Sequence, residues 1–479
     1  MFLGIDLGTS GVKALLVADD QSVVGSAHAD LDVSRPAPGW SEQAPEDWIT
    51  ATAEALRGLS AAHDLSAVAG IGLSGQMHGA TLLDDSDAVL RPAILWNDTR
   101  SHEEAALLDA DPRFRAQSGN IVFPGFTAPK LLWVRNNEPD LFNRVTKVLL
   151  PKDYLRLWLT GEYVSEMSDA AGTSWLDPGR RDWSDALLEA TELGRDHMPS
   201  LVEGSEPSGG LRGAVASEFG LSAGIPVAGG AGDNAASAVG VGVTRPGEAF
   251  VSLGTSGVLF AASEGYAPDP GTALHTFCHA LPGRWHQMGV ILAATDSLAW
   301  FAGLTGETPA DLTSDLGDLQ SPGRTMFLPY LGGERTPHND AKVRGAFVGI
   351  EHATDRAAAT RAVLEGVAFA FRDSCEAMRN IGTPLTQAVA VGGGSRSTYW
   401  LRAIATALGL PIAVPKDGEF GAAFGAARLG MMAAGRDDPA LLAPPDTQQM
   451  IEPDPTMSDA FDAAYDRYRA LYAALKDLS

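Results

Sequence analysis

The hexapeptide Leu-Gly-Thr-Ser-Gly-Val occurs twice in the chain, at residues 7–12 and again at 253–258. In each half an apolar run precedes it and a β-prone run follows: Phe2–Ile5 and Val12–Val17, then Ala249–Val251 and Val258–Ala262. This order predicts a strand, a tight glycine-rich turn and a second strand, formed twice. Because the copies lie about half a chain length apart, the repeat indicates a fold with two related halves.

The repeated turn is suited to holding phosphate. Glycines on both sides of Thr-Ser allow successive backbone N–H groups to face one concavity, and the two hydroxyls add donors. Asp6 precedes the first copy, whereas Ser252 precedes the second. One carboxylate beside two phosphate loops predicts a single magnesium site. Two ordinary hairpin turns are the alternative, and the duplication and the lone aspartate weigh against it.

Length and composition indicate a globular protein of two domains. The chain has 479 residues, of which 45% are apolar and 20% charged. Chains of this length exceed one hydrophobic core, and Gly, Ser and Pro recur near residues 203–213 and 245–247. We therefore predict domains at 1–244 and 245–479, with the boundary directly before the second copy of the repeat.

Charge and cysteine content narrow the functional classes. The net charge of −25 disfavours nucleic acid and anionic membranes as partners. Residues 1–8 lack a basic segment before the apolar run, so we interpret them as a strand and not a signal peptide, and no apolar stretch is long enough to span a membrane. Cys278 and Cys375 are too few for a disulfide framework or a zinc site. These features favour the cytoplasm.

Alternating strand-like and helical periodicity predicts an α/β fold with mixed sheets. Strands are predicted at 68–73 and 387–391, and helices at 45–59, 129–136, 149–159, 355–380 and 400–408. In the C-terminal residues 458–478, aromatic side chains recur at spacings of three and four. Such a stripe is typical of a helix that packs into a core rather than of a binding surface.

Two aspartates are candidates for the chemistry. Asp6 ends the first strand beside the loop, although an aspartate there also caps its own turn. Asp233 follows the predicted strand 226–228 and a run of glycines, and small residues typical of a packed helix come after it. A plain helix N-cap is the alternative for Asp233. Its place at a strand's carboxyl end favours a site, and a helix N-terminus favours its ionised, proton-accepting form.

Two further segments carry polar groups or open backbone. Gln76-Met77-His78-Gly79 follows the strand at 68–73 and suits a polyhydroxylated ligand. A lone histidine is usually structural, and because no metal-ligand spacing surrounds it we interpret His78 as a hydroxyl binder. Gly392-Gly393-Gly394 lies between a predicted strand and helix. Without side chains it admits a flat ring such as a nucleoside base, or it forms a simple tight turn.

Together these motifs resemble the FGGY carbohydrate kinases, in the superfamily of sugar kinases, actin and heat-shock ATPases, over essentially the whole chain. The resemblance rests on residues 4–10, 252–256 and 391–394, on the family signature at 125–137, and on Gln76–Gly79, Leu95–Asp98, Pro151–Leu155 and Met167–Thr173, which are similar to the branch that acts on D-xylulose. In the C-terminal signature that starts at Gly345, Ala358 and Ala359 depart from the usual residues. That departure concerns helix packing.

The resemblance implies a two-lobed actin-like (ribonuclease H-like) ATPase fold with the ligand cleft between lobes, and ATP-dependent, Mg²⁺-dependent phosphorylation of D-xylulose. It implies Asp233 as catalytic base, Asp6 as the magnesium-linked carboxylate, and Met77, His78, Asp233 and Asn234 as sugar contacts. The implied nucleotide contacts are Gly8, Thr9, Ser10, Gly254, Thr255, Ser256, Trp300, Gly393, Gly394 and Ser397.

Other functions remain open from the sequence. The substrate could instead be ribulose, gluconate or glycerol, and a sugar-sensing ATP-binding protein without catalysis is a further alternative. A dinucleotide-dependent oxidoreductase is disfavoured because neither loop spells GxGxxG between a strand and a helix. The oligomeric state is open, with a homodimer as one option.

Overall fold

Strands form where the apolar and β-prone runs lie, and the twin hairpins are among them. The strands are β1 Phe2–Leu7, β2 Gly11–Val17, β3 Val23–Asp30, β4 Glu42–Gln43, β5 Ile71–Gly75, β6 Thr81–Leu83, β7 Ala93–Ile94, β8 Lys147–Leu149, β9 Val164–Glu166, β10 Leu176–Asp177, β11 Asp182–Trp183, β12 Ser200–Val202, β13 Pro207–Gly210, β14 Pro226–Ala228, β15 Ala231–Gly232, β16 Gly247–Leu253, β17 Gly257–Ser263, β18 His275–Cys278, β19 Trp285–Ile291, β20 Met326–Leu328, β21 Ala346–Val348, β22 Leu385–Val391, β23 Ile412–Pro415 and β24 Thr447–Ile451.

Helices alternate with these strands. They are α1 Pro45–Ala62, α2 His102–Asp109, α3 Pro112–Ser118, α4 Thr127–Asn137, α5 Pro139–Phe142, α6 Pro151–Thr160, α7 Met167–Ala170, α8 Asp185–Glu189, α9 Gly213–Phe219, α10 Asp233–Gly240, α11 Thr295–Thr305, α12 Pro309–Ser314, α13 Arg356–Asn380, α14 Thr398–Leu408, α15 Ala422–Ala433 and α16 Ser458–Leu475. The predicted helices are confirmed, with ends that differ by a few residues. The strand predicted from residue 68 begins instead at Ile71, because Val68 lies in a turn and donates to the carbonyl of Leu65 at 3.0 Å.

This computed structural model describes residues 1–416 and 420–478 and divides the chain into two units. Unit 1 comprises Met1–Thr244, Phe277–Trp285 and Glu419–Pro444. Unit 2 comprises Arg245–Thr276, His286–Gly418 and Pro445–Ser479. Two segments from late in the chain therefore fold with the first half.

Unit 1 is built on a mixed sheet. The strand order is β13-β14-β5-β1-β2-β3, and β15 also pairs with β5. Strand β1 is antiparallel to β2 and parallel to β5, while β15 is parallel to β5 on the opposite edge from β1. The carboxyl ends of β1, β5 and β15 therefore meet at one edge of the sheet.

The central sheet of unit 2 repeats this arrangement around the second hairpin. Its strand order is β18-β19-β17-β16-β22-β23-β24. Strand β16 is antiparallel to β17 and parallel to β22, as β1 is to β2 and β5. The duplicated hexapeptide thus marks the same position in two sheets of similar topology, which confirms the prediction of an α/β fold with mixed sheets.

Helix α15 packs directly on the sheet of unit 1 through glycines. A Cβ added at Gly72 would lie 1.7 Å from the carbonyl oxygen of Ala426, and one at Gly4 would lie 1.9 Å from that of Ala423. Likewise, a Cβ added at Gly425 of α15 would lie 1.8 Å from the carbonyl oxygen of Ala236 in α10. Because glycine lacks a Cβ, backbone lies against backbone at these positions, and a larger residue would push the helix off the sheet.

The aromatic stripe of α16 packs into the core of unit 2. Phe461, Tyr465 and Tyr468 are buried. Tyr468 packs against Phe369, and the hydroxyls of Tyr468 and Tyr330 are hydrogen-bonded at 2.8 Å. The sequence-based interpretation of this stripe as core packing is therefore confirmed. Tyr472 is only partly buried and stacks on His338.

The helices of the described ranges were compared with the length and apolarity that a membrane span requires. Across residues 1–416 and 420–478, every helix is either too short or too polar to cross a bilayer.

Candidate active site

The first Gly-Thr-Ser loop presents backbone N–H groups on one side. The carbonyl of Thr9 accepts a hydrogen bond from Gln43 Nε2 at 2.7 Å, and the carbonyl of Ser10 accepts one from the N–H of Leu31 at 3.0 Å. In a trans peptide the N–H points opposite to the carbonyl. The next N–H groups along the loop, those of Ser10 and Gly11, therefore point away from these partners, as a phosphate-binding loop requires.

The side chain of Thr9 is part of a polar network. Its hydroxyl donates to Gln76 Oε1 at 2.8 Å and accepts from the indole N–H of Trp96 at 3.0 Å. Gln76 in turn donates to Gln43 at 2.9 Å. The hydroxyl proton of Thr9 is thus directed at Gln76, so the backbone and Ser10 are the groups of this loop best placed to donate to phosphate.

The second loop is fixed by the start of α11. The carbonyl of Gly254 accepts hydrogen bonds from the N–H of Thr295 at 2.9 Å and from its hydroxyl at 2.8 Å, and the carbonyl of Thr255 accepts from the N–H of Ala294 at 2.8 Å. The following N–H groups, on Thr255 and Ser256, point the other way, and both residues are exposed. This loop also suits an anion.

The two identical hexapeptides nevertheless form different turns. Leu7 pairs with Val12 in the first hairpin, whereas Leu253 pairs with Gly257 in the second. The second turn is therefore one residue shorter. The contacts of the two loops differ as well: Gln43 and Leu31 bond to the first loop, and the first turn of a helix bonds to the second.

Asp6 lies near the carboxyl end of β1, paired with Lys13 on β2 and with Ser74 on β5. Burial raises the pKa of its carboxyl above the ordinary value, an effect that the Ser74 hydroxyl and the Lys13 charge offset in part. Within the described residues, Asp6 Oδ1 is buried and lacks a hydrogen-bond partner. A buried carboxylate oxygen without a partner is costly unless a further group, such as a cation, completes it.

Asp233 is the first residue of α10 and follows β15 directly. Its Oδ1 accepts hydrogen bonds from the N–H of Asn234 at 2.7 Å and from Asn234 Nδ2 at 3.0 Å. Burial, and then the charge of Asp6, raise the pKa of Asp233 to about 6. The helix N-terminus was expected to hold this pKa down, and burial outweighs it. At pH 7 most of the carboxyl remains ionised.

The strand register brings Asp6 and Asp233 to one edge. Ser74 on β5 pairs with Asp6 on one side and with Ala231, two residues before Asp233, on the other. Neighbouring strands lie about 4.8 Å apart, so the two backbones are separated by about 10 Å. Side chains that extend from both strand ends then face one space above β5, which agrees with the effect of Asp6 on the pKa of Asp233.

The predicted sugar contacts Met77 and His78 border the same edge. Met77 packs against Gly232, where an added Cβ would lie 2.9 Å from its Cγ and Sδ. The Nδ1 of His78 is 2.7 Å from the carbonyl of Gly172, and the ring stacks on Phe126 at 4.7 Å. Because a carbonyl only accepts, Nδ1 carries the proton, which makes Nε2 an acceptor in the neutral ring.

Lys130 fixes the backbone of His78 and was given no role in the sequence prediction. His78 has a positive φ of 70°, which is uncommon for residues other than glycine. The fully buried Lys130 donates from Nζ to the carbonyls of His78 at 2.8 Å and Gly125 at 2.7 Å. Burial lowers the pKa of Lys130 well below its usual value. The family signature around this lysine was the available signal.

A buried ionic cluster lies behind Gly232 and was also missed as a group. Lys152 Nζ is 2.8 Å from Asp153, 3.0 Å from Asp169 and 3.4 Å from Glu166, and all four side chains are fully buried. Burial is the main reason that the pKa of Asp169 is raised, to about 8. The charge of Lys152 lowers this pKa in part, and the carboxylates of Asp153 and Glu166 raise it further. The segments at 151–155 and 167–173, which carry part of the family resemblance, contain three of the four residues.

In unit 2 the predicted adenosine segment lies beside the second loop. Strand β22 pairs with β16 so that Val391 is opposite Ser252. A Cβ at Gly394 would lie 2.8 Å from that of Leu253, whereas one at Gly393 would meet open space. Gly394 is therefore required by packing, and Gly393 leaves room for a ligand.

Trp300 and Ser397 have defined surroundings in unit 2. Trp300 is 38% exposed and stacks on Phe327 at 5.7 Å, so part of its ring is available to a flat ligand. Ser397 caps α14, since its hydroxyl accepts from the N–H of Trp400 at 3.3 Å. This cap gives Ser397 a structural role beside its predicted contact with the nucleotide.

The donor set fits one magnesium ion bound together with phosphate. Across the described residues, no group of three or more His, Cys, Asp or Glu could hold a metal on its own. Magnesium commonly uses one or two carboxylates and completes its shell with water and substrate phosphates. The unpartnered Oδ1 of Asp6 and the mutual charge effect of Asp6 and Asp233 suit such a cation.

Two α/β units of similar topology, each with a Gly-Thr-Ser hairpin, define the actin-like (ribonuclease H-like) ATPase fold. Comparison with known proteins gives the family. The N-terminal domain of the FGGY family of carbohydrate kinases matches residues 1–240, and its C-terminal domain matches residues 249–434. The chain belongs to this family, as its motifs predicted.

Individual relatives match from end to end. The chain is 64% identical to a xyloylose kinase from Brucella ovis and matches its crystal structure with a TM-score of 0.98 over 100% of both chains. It is 48% identical to the xylulose kinase of Escherichia coli (strain K12) over 100% of both sequences. The xylulose kinase structure from Rhodospirillum rubrum is 31% identical, with a TM-score of 0.93 over 100% of this chain and 99% of that one.

Proposed function

We propose that this protein transfers the γ-phosphoryl group of ATP to D-xylulose, giving D-xylulose 5-phosphate and ADP. Membership of the FGGY family supports the chemistry, and similarity along the whole chain to xylulose kinases supports the substrate. The observation that carries the proposal is the carboxylate of Asp233. This residue directly follows Gly232, against which Met77 packs, and it has a pKa of about 6 through burial and the charge of Asp6.

The sugar is bound within residues 1–244, by Met77, His78, Asp233 and Asn234. Met77 covers the apolar edge of the ketopentose, and Nε2 of His78 accepts a hydrogen bond that a sugar hydroxyl donates. The stacking of His78 on Phe126 and its hydrogen bond with Gly172 favour one ring orientation. A preset orientation lowers the entropic cost of ordering the site when sugar binds.

Asp233 acts as the general base. Its carboxylate accepts the proton of the hydroxyl on carbon five while that oxygen forms a bond to the γ-phosphorus and the bond from phosphorus to the leaving ADP oxygen breaks. A pKa of about 6 suits this step, because the group is ionised at neutral pH yet basic enough to take a proton. The transition state needs mainly positioning and neutralisation of charge.

Each Gly-Thr-Ser loop binds phosphate through its backbone N–H groups, at residues 8–10 in the first half and at residues 254–256 in the second. Asp6 links to magnesium, which neutralises phosphate charge when it is bound. The nucleotide site is assigned to residues 245–479. Gly393 and Gly394 admit the adenosine, Trp300 offers its exposed ring face to the base, and Ser397 holds the adjoining helix start in place.

The cytoplasm is the proposed compartment. ATP is supplied there, and both cysteines, Cys278 and Cys375, are free and buried, which is compatible with a reducing environment.

The test is ADP formation by the purified protein with ATP, Mg²⁺ and a panel of D-xylulose, D-ribulose, gluconate and glycerol. We expect D-xylulose to give the largest kcat/KM by at least about tenfold, since hydroxyl-specific sites discriminate strongly. A larger kcat/KM for another member would reassign the substrate. ADP formation that no sugar stimulates would reject the kinase function in favour of a sensor.

A further inference from the structure

Asp233 depends on its own backbone for its position. The hydrogen bonds that the described residues give to its carboxylate both come from Asn234, the next residue. Such local bonds orient the carboxylate relative to α10 but do not fix α10 itself. The location of the carboxylate relative to a bound sugar therefore follows the backbone of Gly232, the last residue of β15.

The N–H of Gly232 is held by a distant serine. It donates to Ser168 Oγ at 3.1 Å, across 64 residues of sequence. Ser168 is fully buried, and its hydroxyl donates to Glu166 Oε1 at 3.0 Å. Because the hydroxyl proton is directed at Glu166, the oxygen is left to accept from Gly232. Met77 lies close to Gly232 as well, so the backbone has little room to move.

Glu166 in turn holds the backbone of Ser168. Its Oε2 accepts from the N–H of Ser168 at 2.7 Å, and its Oε1 accepts from the N–H of Asp169 at 2.9 Å. Glu166 is fully buried and lies 3.4 Å from Lys152 Nζ. Lys152 also pairs with Asp153 and Asp169. Each member of this series is therefore tied by at least one charge-assisted contact.

A cluster of this kind is a poor device for stability alone. Removing charged groups from water costs free energy that their mutual attraction often does no more than repay, and well-packed apolar residues would serve stability as well. The cluster instead fixes the orientation of Glu166 and, through it, of the Ser168 hydroxyl. The series of contacts ends at Gly232, the residue that precedes Asp233.

We propose that Ser168, held by Glu166, is a positioning residue that places the carboxylate of Asp233 against the sugar hydroxyl. This inference rests on the proposed function. It predicts that loss of the Ser168 hydroxyl impairs the transfer step more than it impairs binding of the sugar, because that hydroxyl bonds to Gly232, directly before the base, and to Glu166.

The experiment compares Ser168→Ala with Ser168→Thr and with a matched control, Ser118→Ala. Ser118 is also buried in unit 1, donates from Oγ to the carbonyl of Phe114 at 2.8 Å and accepts from the N–H of Asn120 at 3.3 Å. Its removal deletes a similar pair of hydrogen bonds outside the candidate site. Steady-state kcat and KM for D-xylulose are measured for each full-length protein, together with thermal unfolding.

We expect Ser168→Ala to lower kcat by about 10- to 100-fold, the size of effect that a small misplacement of a reacting group produces. KM for D-xylulose should change by less than about threefold, Ser168→Thr should recover most of kcat, and Ser118→Ala should retain it. If Ser168→Ala does not fold, Ser168→Cys, which keeps the volume but is a weak acceptor, is measured in its place and should show the same fall in kcat.

Two outcomes would overturn the proposal. One is a kcat of Ser168→Ala that lies within twofold of the wild-type value. If Ser168→Ala does not fold, the same criterion applies to the kcat of Ser168→Cys. The other is an equal loss in Ser118→Ala, since that would indicate a general structural effect. Wild-type protein without sugar-dependent ADP formation would instead reject the proposed function, so the two failures are distinguishable.

Discussion

Asp233 and Asp6 illustrate how burial sets the chemistry of single residues in this site. Desolvation is the largest influence on the pKa of both carboxyls and raises each of them, and the charge of Asp6 adds to the effect on Asp233. A carboxylate that is partly withdrawn from water is a stronger base than an exposed one. The same desolvation makes a nearby cation favourable, which links the base to the predicted magnesium site.

The pKa of Asp233 predicts the acid side of the pH profile. Below a pKa of about 6 the carboxyl is protonated and cannot accept the sugar proton, so kcat should fall about tenfold per pH unit between about pH 5.5 and 4.5. Above about pH 7 it should level off. Initial rates at saturating D-xylulose measure this, with circular dichroism to verify folding at each pH. A flat profile down to about pH 5 would contradict the raised pKa.

A substitution at Gly172 tests the proposed contact between His78 and the sugar. In Gly172→Ala the new Cβ would lie 2.4 Å from Cε1 and 2.6 Å from Nδ1 of His78, so the ring must turn away. We expect KM for D-xylulose to rise by about tenfold or more, since a misdirected hydrogen bond to a sugar hydroxyl costs roughly 1–3 kcal/mol. Gly213→Ala is the control, because its Cβ would meet open space. An unchanged KM in Gly172→Ala would remove His78 from the sugar site.

Residues that end a strand were predictable from sequence, and residues that support them were not. Asp6, Met77 and Asp233 follow recognisable apolar strands, so their common edge could be expected. Lys130 and Ser168 act through backbone groups about 50 and 60 residues away in sequence, and local patterns carry no information on such contacts. Asn234 was predicted as a sugar contact, and its bonds to Asp233 give it an orienting role as well.

At the scale of elements, glycine contacts hold α15 close to β1 and β5. Gly4 and Gly72 on the strands meet the backbone of α15, and Gly425 on the helix meets that of α10. These contacts bring the helix closer to the sheet than side chains would allow, and they lie on the strands that carry Asp6 and lead to Gln76. Packing and site geometry are therefore coupled in this unit.

Gly72→Val should be severely destabilising. Its Cβ would lie 1.7 Å from the carbonyl oxygen of Ala426, and neither backbone can yield without moving α15. We expect a loss of about 3 kcal/mol or more, or no folded protein, by chemical denaturation.

Gly303→Ala is the contrasting change at the element scale. Gly303 lies inside α11, is exposed, and has open space around its Cβ position, so alanine should stabilise the protein by about 0.5–1 kcal/mol through helix propensity. Equal stabilities for the valine variant at position 72 and the alanine variant at position 303 would contradict this account of α15.

The repeated hexapeptide predicts that two hairpins form, but it does not predict the strand register of each hairpin. Both copies form strand, turn and strand, yet the second turn is one residue shorter. The hexapeptide is the same in both copies, but its contacts differ: Gln43 and Leu31 bond to the first loop, and Thr295 bonds to the second. Tertiary contacts decide turn geometry where local preferences are equal.

At the scale of the whole molecule, the net charge of −25 creates an unfavourable field for an anionic substrate. Raising monovalent salt from about 20 to 150 mM shortens the Debye length from about 20 to 8 Å and should lower KM for ATP about two- to threefold. D-xylulose is neutral, so its KM is the internal control and should not change. A KM for ATP that rises with salt would indicate local attraction by cationic side chains instead.

The sequence did not reveal which late segments of the chain fold with the first half. Residues 277–285 and 419–444 belong to unit 1 although they follow the start of unit 2 in the chain. The Gly-Ala-rich composition of α15 is explained by the contacts of Gly72 and Gly425, which no pattern within the helix reveals. The α/β class and the family were nonetheless recognisable, because ordered motifs extend over the full length.

The central claim is that Asp233 is the base of a D-xylulose kinase, and Asp233→Asn measures it most directly. Asp373→Asn is the matched control: Asp373 is buried, burial likewise raises its pKa to about 6, and it accepts from the Tyr465 hydroxyl at 2.7 Å outside the site. Loss of a general base costs about 10²–10⁴ in rate. We predict a fall in kcat of that size for Asp233→Asn, with ATP affinity retained and Asp373→Asn near wild type, whereas turnover by Asp233→Asn within tenfold of wild type would contradict the claim.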